Sequence, residues 1–464
     1  MLRYYIALWA AKLSLVALKI TKHNGTNFPG IVALRICPDF LTRVAKPETI
    51  IGVTGTNGKT TVSNLIKDAL AVKGVQVLSN SHGSNIATGV ATSFMNGVNI
   101  FGKCRYKMAV LEIDERSVTK FFPAFEPDYM IVNNLTRDSI MRNGHPEYIA
   151  GILTKYMPAK TKLIINGDDL IACSVSPDNE RKYFGISRMD TDVEECINLI
   201  NDMMICPECN EMLKYDYLRY HHIGKAYCPN CGFKSPECDY LGVNVDTDAM
   251  SINVVEKAEP LNETVSYKLI NDSVFNIYNV VALVALLREI GYSSADVKEM
   301  LEGIEIVKTR FNEKQFGTYT FIRQMSKEKN ALASSRVFDY VSSRPGDKEL
   351  VLMMNCLGDT KTWSENMCWL YDCDFEFLNN DSIRNIVVTG ERAKDYYLRL
   401  QYAGVPVDRI TIVPDEKDIP SGLKLFPYSN VYLFYGTDSL ELSYVIGEAI
   451  EETMKKKVAE GGDR

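Results

Sequence analysis

The chain has 464 residues, of which 46% are hydrophobic and 24% charged, and its formal net charge is -7. This length exceeds what one hydrophobic core usually organises, so we expect two or three domains. The acidic balance argues against nucleic acid as the main partner, and the twelve Cys fit a reducing cytoplasm better than a secreted disulfide framework.

The N-terminal stretch, residues 4–20, is largely apolar, but Lys12 and Lys19 interrupt it. A transmembrane helix needs about 20 apolar residues with few charges, and a signal peptide needs its charges before the apolar run. We therefore predict an amphipathic helix. It either packs against the protein or lies on a membrane surface, at the inner face of the membrane.

A phosphate-binding loop is predicted at residues 52–61, which read GVTGTNGKTT. An apolar run, residues 49–53, precedes the loop, and a helical pattern, residues 62–72, follows it. In such strand–loop–helix units, consecutive backbone N–H groups curl around phosphate oxygens, and the helix N-terminus adds positive potential. Lys59 would reach the β- and γ-phosphates, and Thr60 would place its hydroxyl on Mg²⁺.

The match to the motif is incomplete, because Val53 stands where its first Gly belongs. A glycine-rich turn with an incidental Lys is the alternative. We predict that the chain binds a nucleoside triphosphate.

Strand-like runs alternate with helical patterns as far as residue 170, which predicts βαβ units and a parallel sheet. The predicted strands are residues 49–53, 75–79, 108–112, 129–133 and 162–166. Ligand groups of such sheets cluster at the carboxyl ends of the strands. The polar or small residues there are Lys59, Asn80, Glu112, Asn134, Gly167 and Asp168.

Glu112 closes one of these strands, where a carboxylate can hold the Mg²⁺ that bridges the β- and γ-phosphates. Asp114 or Glu115 could instead be ordinary acids at a helix N-terminus. Asn80-x-x-Gly83-x-Asn85 offers amides to an anionic or amide-bearing ligand, and a bare turn is equally compatible with it.

A metal site is predicted from two C-x-x-C pairs separated by eighteen residues: Cys206, Cys209, Cys228 and Cys231. This is the spacing of a four-Cys zinc ribbon, and four thiolates leave no open position, so the zinc would be structural. Two redox-active pairs are the alternative. We assign His221 and His222 to the surface, because four Cys already fill the coordination shell.

Periodic structure resumes near Met250, and residues 276–290 read as a helix with an apolar stripe. Asn276 and Asn279 share one face of this helix and could contact an adenine edge or cap the helix. A second α/β unit starts near residue 312, and the charged tail from residue 451 is expected to fray. Its predicted strands are residues 350–354, 385–389, 409–413 and 430–435.

The G-T-N-G-K-T loop, the acid at a neighbouring strand end and the Asn-x-x-Asn helix together resemble the Mur ligase family. Its members use ATP to form amide bonds through an acyl-phosphate. Within the family, the chain is similar to the branch that amidates the second-position D-glutamate of lipid II. That similarity rests on the cysteine ribbon, residues 134–138 and residues 389–404.

The resemblance implies an α/β fold with three parts. Residues 1–47 would be an N-terminal helix and lead-in, and residues 48–311 a Mur ligase-like central domain with a parallel sheet. The zinc ribbon would be inserted at residues 202–238. Residues 312–464 would form a C-terminal Rossmann-like α/β domain.

The resemblance also implies roles for single residues. Lys59, Glu112 and Asp359 would be catalytic, and Thr60 with Glu112 would bind Mg²⁺. The ATP-binding residues would be Gly55, Thr56, Asn57, Gly58, Lys59, Thr60, Thr61, Asn276, Asn279 and Arg310. The ligands of Zn²⁺ would be Cys206, Cys209, Cys228 and Cys231. The implied partner is a GatD-like glutaminase subunit that supplies ammonia, with Asp359, or next Asp372, completing its catalytic triad.

Three segments depart from the family pattern: residues 309–313, residues 329–333, and the region of Asp359, where Asn366 replaces an expected Asp. Such changes are expected of a divergent paralogue with altered substrate or partner contacts. Two other functions therefore remain open. One is a Mur-type ligase that adds an amino acid to another acceptor, and the other is a non-catalytic ATP-binding scaffold.

Overall fold

The computed structural model describes residues 1–21, 25–80, 85–137, 145–257, 263–304, 312–326, 330–354, 367–436 and 438–460. The chain divides into two compact units. The first comprises residues 1–136, 145–197 and 201–306, and the second comprises residues 137–144, 198–200 and 307–464.

The first unit is an α/β unit. Its helices are α1 (Leu2–Ile20), α2 (Phe28–Ile36), α3 (Phe40–Arg43), α4 (Lys59–Val72), α5 (Ala87–Gly97), α6 (Val118–Phe121), α7 (Pro146–Tyr156), α8 (Leu170–Cys173), α9 (Val274–Glu289) and α10 (Ser294–Gly303). Its strands are β1 (Thr49–Thr54), β2 (Val77–Ser79), β3 (Met108–Glu112), β4 (Tyr129–Val132), β5 (Lys162–Asn166), β6 (Arg181–Ile186), β7 (Lys214–Tyr220), β8 (Ile223–Tyr227), β9 (Tyr240–Asp246), β10 (Ser251–Glu256) and β11 (Glu263–Lys268).

Nine of these strands form one sheet in the order β11-β10-β9-β6-β5-β4-β1-β3-β2. Neighbours from β2 to β9 are parallel, whereas β9, β10 and β11 pair antiparallel. The prediction of a parallel sheet is confirmed for β1 to β5, while β6 and β9 extend that sheet beyond the predicted strands. Strand β1 lies between β3 and β4, so the order of the strands reverses at β1. The carboxyl end of β1 is therefore the topological switch point, where α/β sheets bind their ligands.

Helix α1 packs on its own unit through Tyr4, Ala7, Leu8 and Ala11, which are buried. The ammonium group of Lys12 turns inward and donates to the carbonyls of Met95 at 2.9 Å and Val98 at 2.7 Å. The prediction that this helix packs against the protein is confirmed. In the part of the chain that the structure describes, no helix has both the length and the apolar character needed to cross a bilayer.

Helix α9 is buried at every position from Asn276 to Leu287, and not along one stripe as predicted. It contacts strands β4, β5, β6 and β9 as well as helices α4 and α10. Since both sides of the helix are covered, its apolar residues extend around its whole circumference, and periodicity alone understates its burial.

The second unit contains strands β12 (Asn312–Phe316), β13 (Tyr319–Met325), β14 (Lys348–Met353), β15 (Ile383–Thr389), β16 (Ile410–Val413) and β17 (Asn430–Tyr435). Its helices are α11 (Ala331–Ser343), α12 (Trp369–Asp372), α13 (Ala393–Tyr402), α14 (Ile419–Gly422) and α15 (Leu440–Ala459). The strand order is β12-β13-β17-β14-β15-β16, and among the described strands of this second sheet only β12 and β13 pair antiparallel. This confirms the Rossmann-like arrangement.

The C-terminal tail does not fray from residue 451 as predicted. Helix α15 continues to Ala459, because Ile450 and Met454 are buried in the core of the second unit. The charge of the tail lies on the outer side of a helix whose inner side is apolar.

Candidate nucleotide site and candidate metal centre

The loop between β1 and α4 stands at the switch point of the first unit. The first intrahelical bond of α4 runs from the N–H of Val62 to the carbonyl of Gly58 at 2.8 Å. Helix geometry therefore directs the N–H groups of residues 59–61 out of the N-terminus of α4, where the helix dipole favours an anion.

The N–H groups of Gly55, Thr56 and Asn57, which precede α4 in the loop, donate to other protein groups. The N–H of Gly55 donates to Glu115 Oε1 at 3.1 Å. The N–H of Thr56 donates to the carbonyl of Asn134 at 2.7 Å, and that of Asn57 to Asn134 Oδ1 at 2.9 Å. These three bonds fix the shape of the loop ahead of the N-terminus of α4, where the helix dipole favours an anion.

Asparagine side chains brace the loop from β4 and α9. The amides of Asn133 and Asn134 both donate to the carbonyl of Asn57, at 3.1 and 3.0 Å. Asn133 also donates to Asn279 Oδ1 at 2.9 Å. The end of β4, the loop and helix α9 are therefore joined by one hydrogen-bond network.

Gly58 precedes α4 with φ of +89°, a left-handed conformation that favours glycine. A Cβ at this position would lie 2.4 Å from Asn133 Nδ2 and 2.6 Å from Asn279 Oδ1. The loop thus needs Gly58 both for its backbone conformation and for the close approach of the two amides.

Lys59, the loop's cation, lies beside a buried carboxylate. Its Nζ is 2.8 Å from Glu115 Oε1, and the Lys59 and Glu115 side chains are 15% and 5% exposed. Burial raises the pKa of the Glu115 carboxyl above its ordinary value, although Lys59 lowers it. Glu115 is therefore not an ordinary acid at a helix N-terminus, because it holds both the loop backbone and its lysine.

Thr60 and Glu112, the residues predicted to bind Mg²⁺, are adjacent. The hydroxyl of Thr60 donates to Glu112 Oε2 at 2.8 Å, and Asn85 Nδ2 donates to Glu112 Oε1 at 3.2 Å. The amide of Asn80 exchanges two hydrogen bonds of 2.8 Å with the backbone of Glu112. The hydroxyl and carboxylate form a pair of oxygen ligands of the kind that Mg²⁺ prefers, so these residues fit that ion.

The amides of Asn276 and Asn279 contact other protein groups. Asn279 Nδ2 donates to Asn276 Oδ1 at 3.2 Å, and Asn276 Nδ2 donates to Asn271 Oδ1 at 3.0 Å and to Ser273 Oγ at 2.8 Å. Asn279 braces the phosphate loop through Asn133, and Asn276 supports Asn279. The contact of these two residues with an adenine edge stays a prediction.

The four predicted metal ligands come together. Their sulfur atoms all lie within 4.8 Å of one another, and the Sγ atoms are 3.6 Å apart for Cys206 and Cys231 and 3.5 Å apart for Cys209 and Cys228. Zinc–sulfur bonds of about 2.3 Å in a tetrahedron place sulfurs about 3.8 Å apart. The four thiols therefore fit a zinc ion.

The backbone around the cluster forms two tight turns. Asn210 and Gly232, which follow the two pairs, have φ of +62° and +78°. Each turn returns an N–H to its first cysteine: Asn210 to the carbonyl of Cys206 at 3.0 Å and Gly232 to that of Cys228 at 3.2 Å. The N–H of Glu211, together with the side chain of Asn230, lowers the pKa of Cys209 to about 7. At Cys231 the N–H of Phe233 lowers the pKa, whereas burial and hydrogen bonds to the other cysteines raise that pKa to about 12.

His221 and His222 are buried, so their assignment to the surface is wrong. His222 Nε2 lies 3.3 Å from Asp169 Oδ1, and that aspartate caps α8 and accepts from the N–H of Leu135 at 2.7 Å. Neither histidine belongs to the cysteine cluster. The two residues form the tight end of the β7–β8 hairpin and anchor it to the core of the first unit.

Arg219, at the end of β7, anchors the same hairpin to α9. Its guanidinium donates to Asp192 at 2.7 Å and to the hydroxyl of Tyr278 at 2.5 Å, and it lies 3.6 Å from Asp168. Tyr278 in turn donates to Asp168 at 2.7 Å. Asp168, predicted as a strand-end ligand group, belongs instead to this buried network.

Some predicted residues are not among those that the structure describes. Arg310 and Asp359 lie outside the described residues, as do Gly83 and Asn366. Asp372, the second candidate for the triad, is described at the end of α12 in the second unit. Its carboxylate lies 3.5 Å from the guanidinium of Arg137 in the same unit.

Comparison with known proteins identifies the relatives of the chain. The model of the Mur ligase middle domain matches residues 53–195, and that of the MurT ligase C-terminal domain matches residues 328–436. The MurT subunit of lipid II isoglutaminyl synthase (glutamine-hydrolyzing) from Staphylococcus aureus (strain COL) is 30% identical over 428 residues, which cover 90% of this chain and 91% of the relative.

Solved structures share the fold at lower identity. A pseudomurein peptide ligase type C from Methanothermus fervidus has a TM-score of 0.64 at 18% identity, covering 89% of this chain and 81% of the other. The MurF ligase of Thermotoga maritima, solved in complex with ADP, has a TM-score of 0.56 at 15% identity, covering 93% and 84%.

Proposed function

Because the chain belongs to the MurT family of lipid II isoglutaminyl synthase subunits, we propose that it is the synthetase subunit of an ATP-dependent carbon–nitrogen ligase. Its substrate is the α-carboxylate of D-glutamate in the stem peptide of lipid II, and its product is the amide. The observation that carries this proposal is the convergence of Lys59, Thr60 and Glu112 at the switch point of the sheet.

The reaction proceeds in two steps. A carboxylate oxygen attacks the γ-phosphorus of ATP, the bond to ADP breaks, and an acyl-phosphate forms. Ammonia then attacks the carbonyl carbon, the new nitrogen loses a proton to solvent, and the carbon–oxygen bond breaks to release phosphate. Neither step needs a side-chain nucleophile, so the protein contributes position and electrostatic stabilisation.

The cationic groups of the loop supply that stabilisation. Lys59 and the N-terminus of α4 offset negative charge on the phosphoryl group during its transfer. Thr60 and Glu112 would hold Mg²⁺, which would supply charge neutralisation for the phosphates. Asn80 and Asn85 orient Glu112 through the hydrogen bonds described above.

Lys59 must reach the phosphates from its position beside Glu115. Its ion pair with that carboxylate holds the ammonium group beside the loop until a phosphate competes for it. Glu115 is thus a positioning residue, and its raised pKa reflects the burial that this role requires.

Ammonia comes from a GatD-like glutaminase partner, since the S. aureus relative is named as the subunit of a glutamine-hydrolyzing enzyme. Asp359 is our first candidate for the carboxylate that completes the glutaminase triad, and Asp372 is the second.

The test is to co-purify the chain with a GatD-like subunit and to supply ATP, lipid II and glutamine labelled with ¹⁵N in its amide. Label in the amidated stem peptide supports the proposal. Incorporation of an amino acid instead of ammonia would make the chain a Mur-type amino-acid ligase. ATP binding without any turnover would make it a scaffold.

A further inference from the structure

Helix α1 is apolar on two opposite faces. One face is buried against the rest of the first unit, as described above. The other consists of large apolar side chains that are exposed: Leu2, Ile6, Trp9, Leu13, Val16 and Ile20. Their spacings alternate between four and three residues, so they form one straight stripe along the helix.

A neighbouring loop extends this stripe. Ile100 and Phe101 are 55% and 75% exposed, and their carbonyls accept hydrogen bonds from Trp9 Nε1 at 2.9 Å and from the Tyr5 hydroxyl at 3.5 Å. We call these eight side chains, the stripe with Ile100 and Phe101, the N-terminal apolar face. Contiguous exposed apolar surface of this kind marks an interaction site.

Cations predominate around the N-terminal apolar face, and the adjacent Asp39 is paired with Arg43 at 2.6 Å. Residues 1–38 contain five Lys and Arg and no Asp or Glu, and residues 69–111 contain four Lys and Arg and no Asp or Glu. The whole chain nevertheless has a net charge of -7. The exposed cations of the surrounding elements include Arg3, Lys19, Arg35, Lys103 and Arg105.

We propose that the N-terminal apolar face docks on the surface of an anionic lipid bilayer, with α1 lying in the plane of the interface. An apolar stripe flanked by Lys and Arg is the pattern of an interfacial helix, since the apolar side chains enter the acyl boundary and the cations meet anionic headgroups. Lys12, the cation that interrupts the sequence, is turned toward the protein and leaves the stripe continuous.

Packing of α1 on the first unit strengthens this inference. The helix is already held by its buried face, so docking does not require it to fold. A second copy of the chain is a poorer occupant, because two such faces would bring cations against cations. Membrane docking goes beyond the proposed function and does not depend on it, since attachment needs neither ATP nor a carboxylate acceptor.

The test is co-sedimentation of the full chain with vesicles of phosphatidylcholine, with or without roughly 30% phosphatidylglycerol. We expect binding to the anionic vesicles that weakens as salt is added. The double substitution Trp9→Ser/Leu13→Ser should lower the partition coefficient about tenfold or more. Lys19→Gln/Lys103→Gln should weaken binding to anionic vesicles selectively.

A matched control exists on α13. Leu398 and Tyr402 are four residues apart and are 43% and 68% exposed. Trp9 and Leu13 have the same spacing and are 48% and 70% exposed. Leu398→Ser/Tyr402→Ser should therefore leave vesicle binding unchanged. Equal losses in the two double variants would overturn the proposal, as would absence of binding to anionic vesicles.

Two further measurements keep the test independent of folding and of self-association. If Trp9→Ser/Leu13→Ser does not fold, tryptophan emission of the unaltered chain should shift to shorter wavelength with anionic vesicles, and Trp9→Phe should abolish that shift. Light scattering checks for a dimer. A dimer that the Trp9→Ser/Leu13→Ser variant loses, without vesicle binding by the unaltered chain, would assign the face to a second copy and overturn the proposal.

Discussion

The ammonium group of Lys59 lies 2.8 Å from a carboxylate oxygen of Glu115, and the same oxygen accepts the N–H of Gly55 at 3.1 Å. The phosphate loop thus carries its own buried counter-charge. An incoming phosphate must compete with Glu115 for Lys59, which links the nucleotide site to the ionisation of one buried acid.

The ionisation of Glu115 should make the unfolding free energy depend on pH. Because burial raises the pKa of Glu115 above 4.5, the folded chain binds more protons than the unfolded chain between that value and the raised pKa. Stability contributed by Glu115 is therefore present at low pH and is lost as pH rises through this window. Relative to Glu115→Gln, the unaltered chain should lose unfolding free energy from about pH 4.5 upward.

Urea titrations of both proteins at several pH values measure this difference, and Glu126→Gln controls for the loss of an exposed negative charge. The opposite result would be a rise in the unfolding free energy of the unaltered chain, relative to that of Glu115→Gln, as the pH rises. It would mean that attraction to Lys59 affects the pKa of Glu115 more than burial does.

Alanine substitutions of Gly58 and Gly74 distinguish the effect of backbone strain from the effect of a steric clash. Both have positive φ, +89° and +72°, but a Cβ at Gly74 would meet nothing within 4 Å. Gly74→Ala should cost about 1 kcal/mol of stability and leave nucleotide affinity unchanged. Gly58→Ala should in addition displace Asn133 and Asn279 and weaken Mg·ATP binding at least about tenfold. Calorimetric titration with Mg·ATP measures the nucleotide affinity of both variants. Equal affinities would contradict the role given to the amides of Asn133 and Asn279.

The oxygen pair of Thr60 and Glu112 should determine the magnesium dependence of nucleotide binding. Glu112→Gln and Thr60→Ala should each remove most of the difference between affinities measured with Mg²⁺ and with a chelator. Thr60→Ser, which keeps the hydroxyl, should preserve that difference, as should Glu126→Gln. A full magnesium effect in Glu112→Gln would exclude Glu112 as a ligand.

The cysteine cluster should contain one structural zinc ion per chain. Cys209→Ser should remove it and lower the unfolding free energy by several kcal/mol, whereas Cys104→Ser, outside the cluster, should keep it. Metal analysis of the purified proteins, with thermal unfolding, checks both statements. Disulfides within the two C-x-x-C pairs, without metal, would instead support the redox interpretation.

The parts of the site that depend on local sequence could be predicted. The phosphate loop, Glu112 and the two cysteine pairs follow from residue types at fixed spacing beside a strand or turn. Most parallel strands could also be placed, because their apolar runs are short and separated by helical patterns.

What could not be predicted depends on contacts between distant segments. Glu115 looks like an acid at a helix N-terminus until the fold brings it to Lys59. His221 and His222 look polar enough for the surface, yet they close a hairpin that packs on Asp169. Strands β9–β11 follow the irregular cysteine segment, and their pairing is set by the edge of the sheet that they extend.

Transfer of oxygen from the acceptor to phosphate tests the proposed chemistry most directly. With lipid II labelled by ¹⁸O in the stem-peptide carboxylate, the complex with its glutaminase should release one ¹⁸O in inorganic phosphate for each amide formed. Lys59→Ala should abolish both products, while Lys67→Ala, further along α4, should retain both. Amide formation with unlabelled phosphate, or label transfer that persists in Lys59→Ala, would contradict activation of the carboxylate by ATP at this loop.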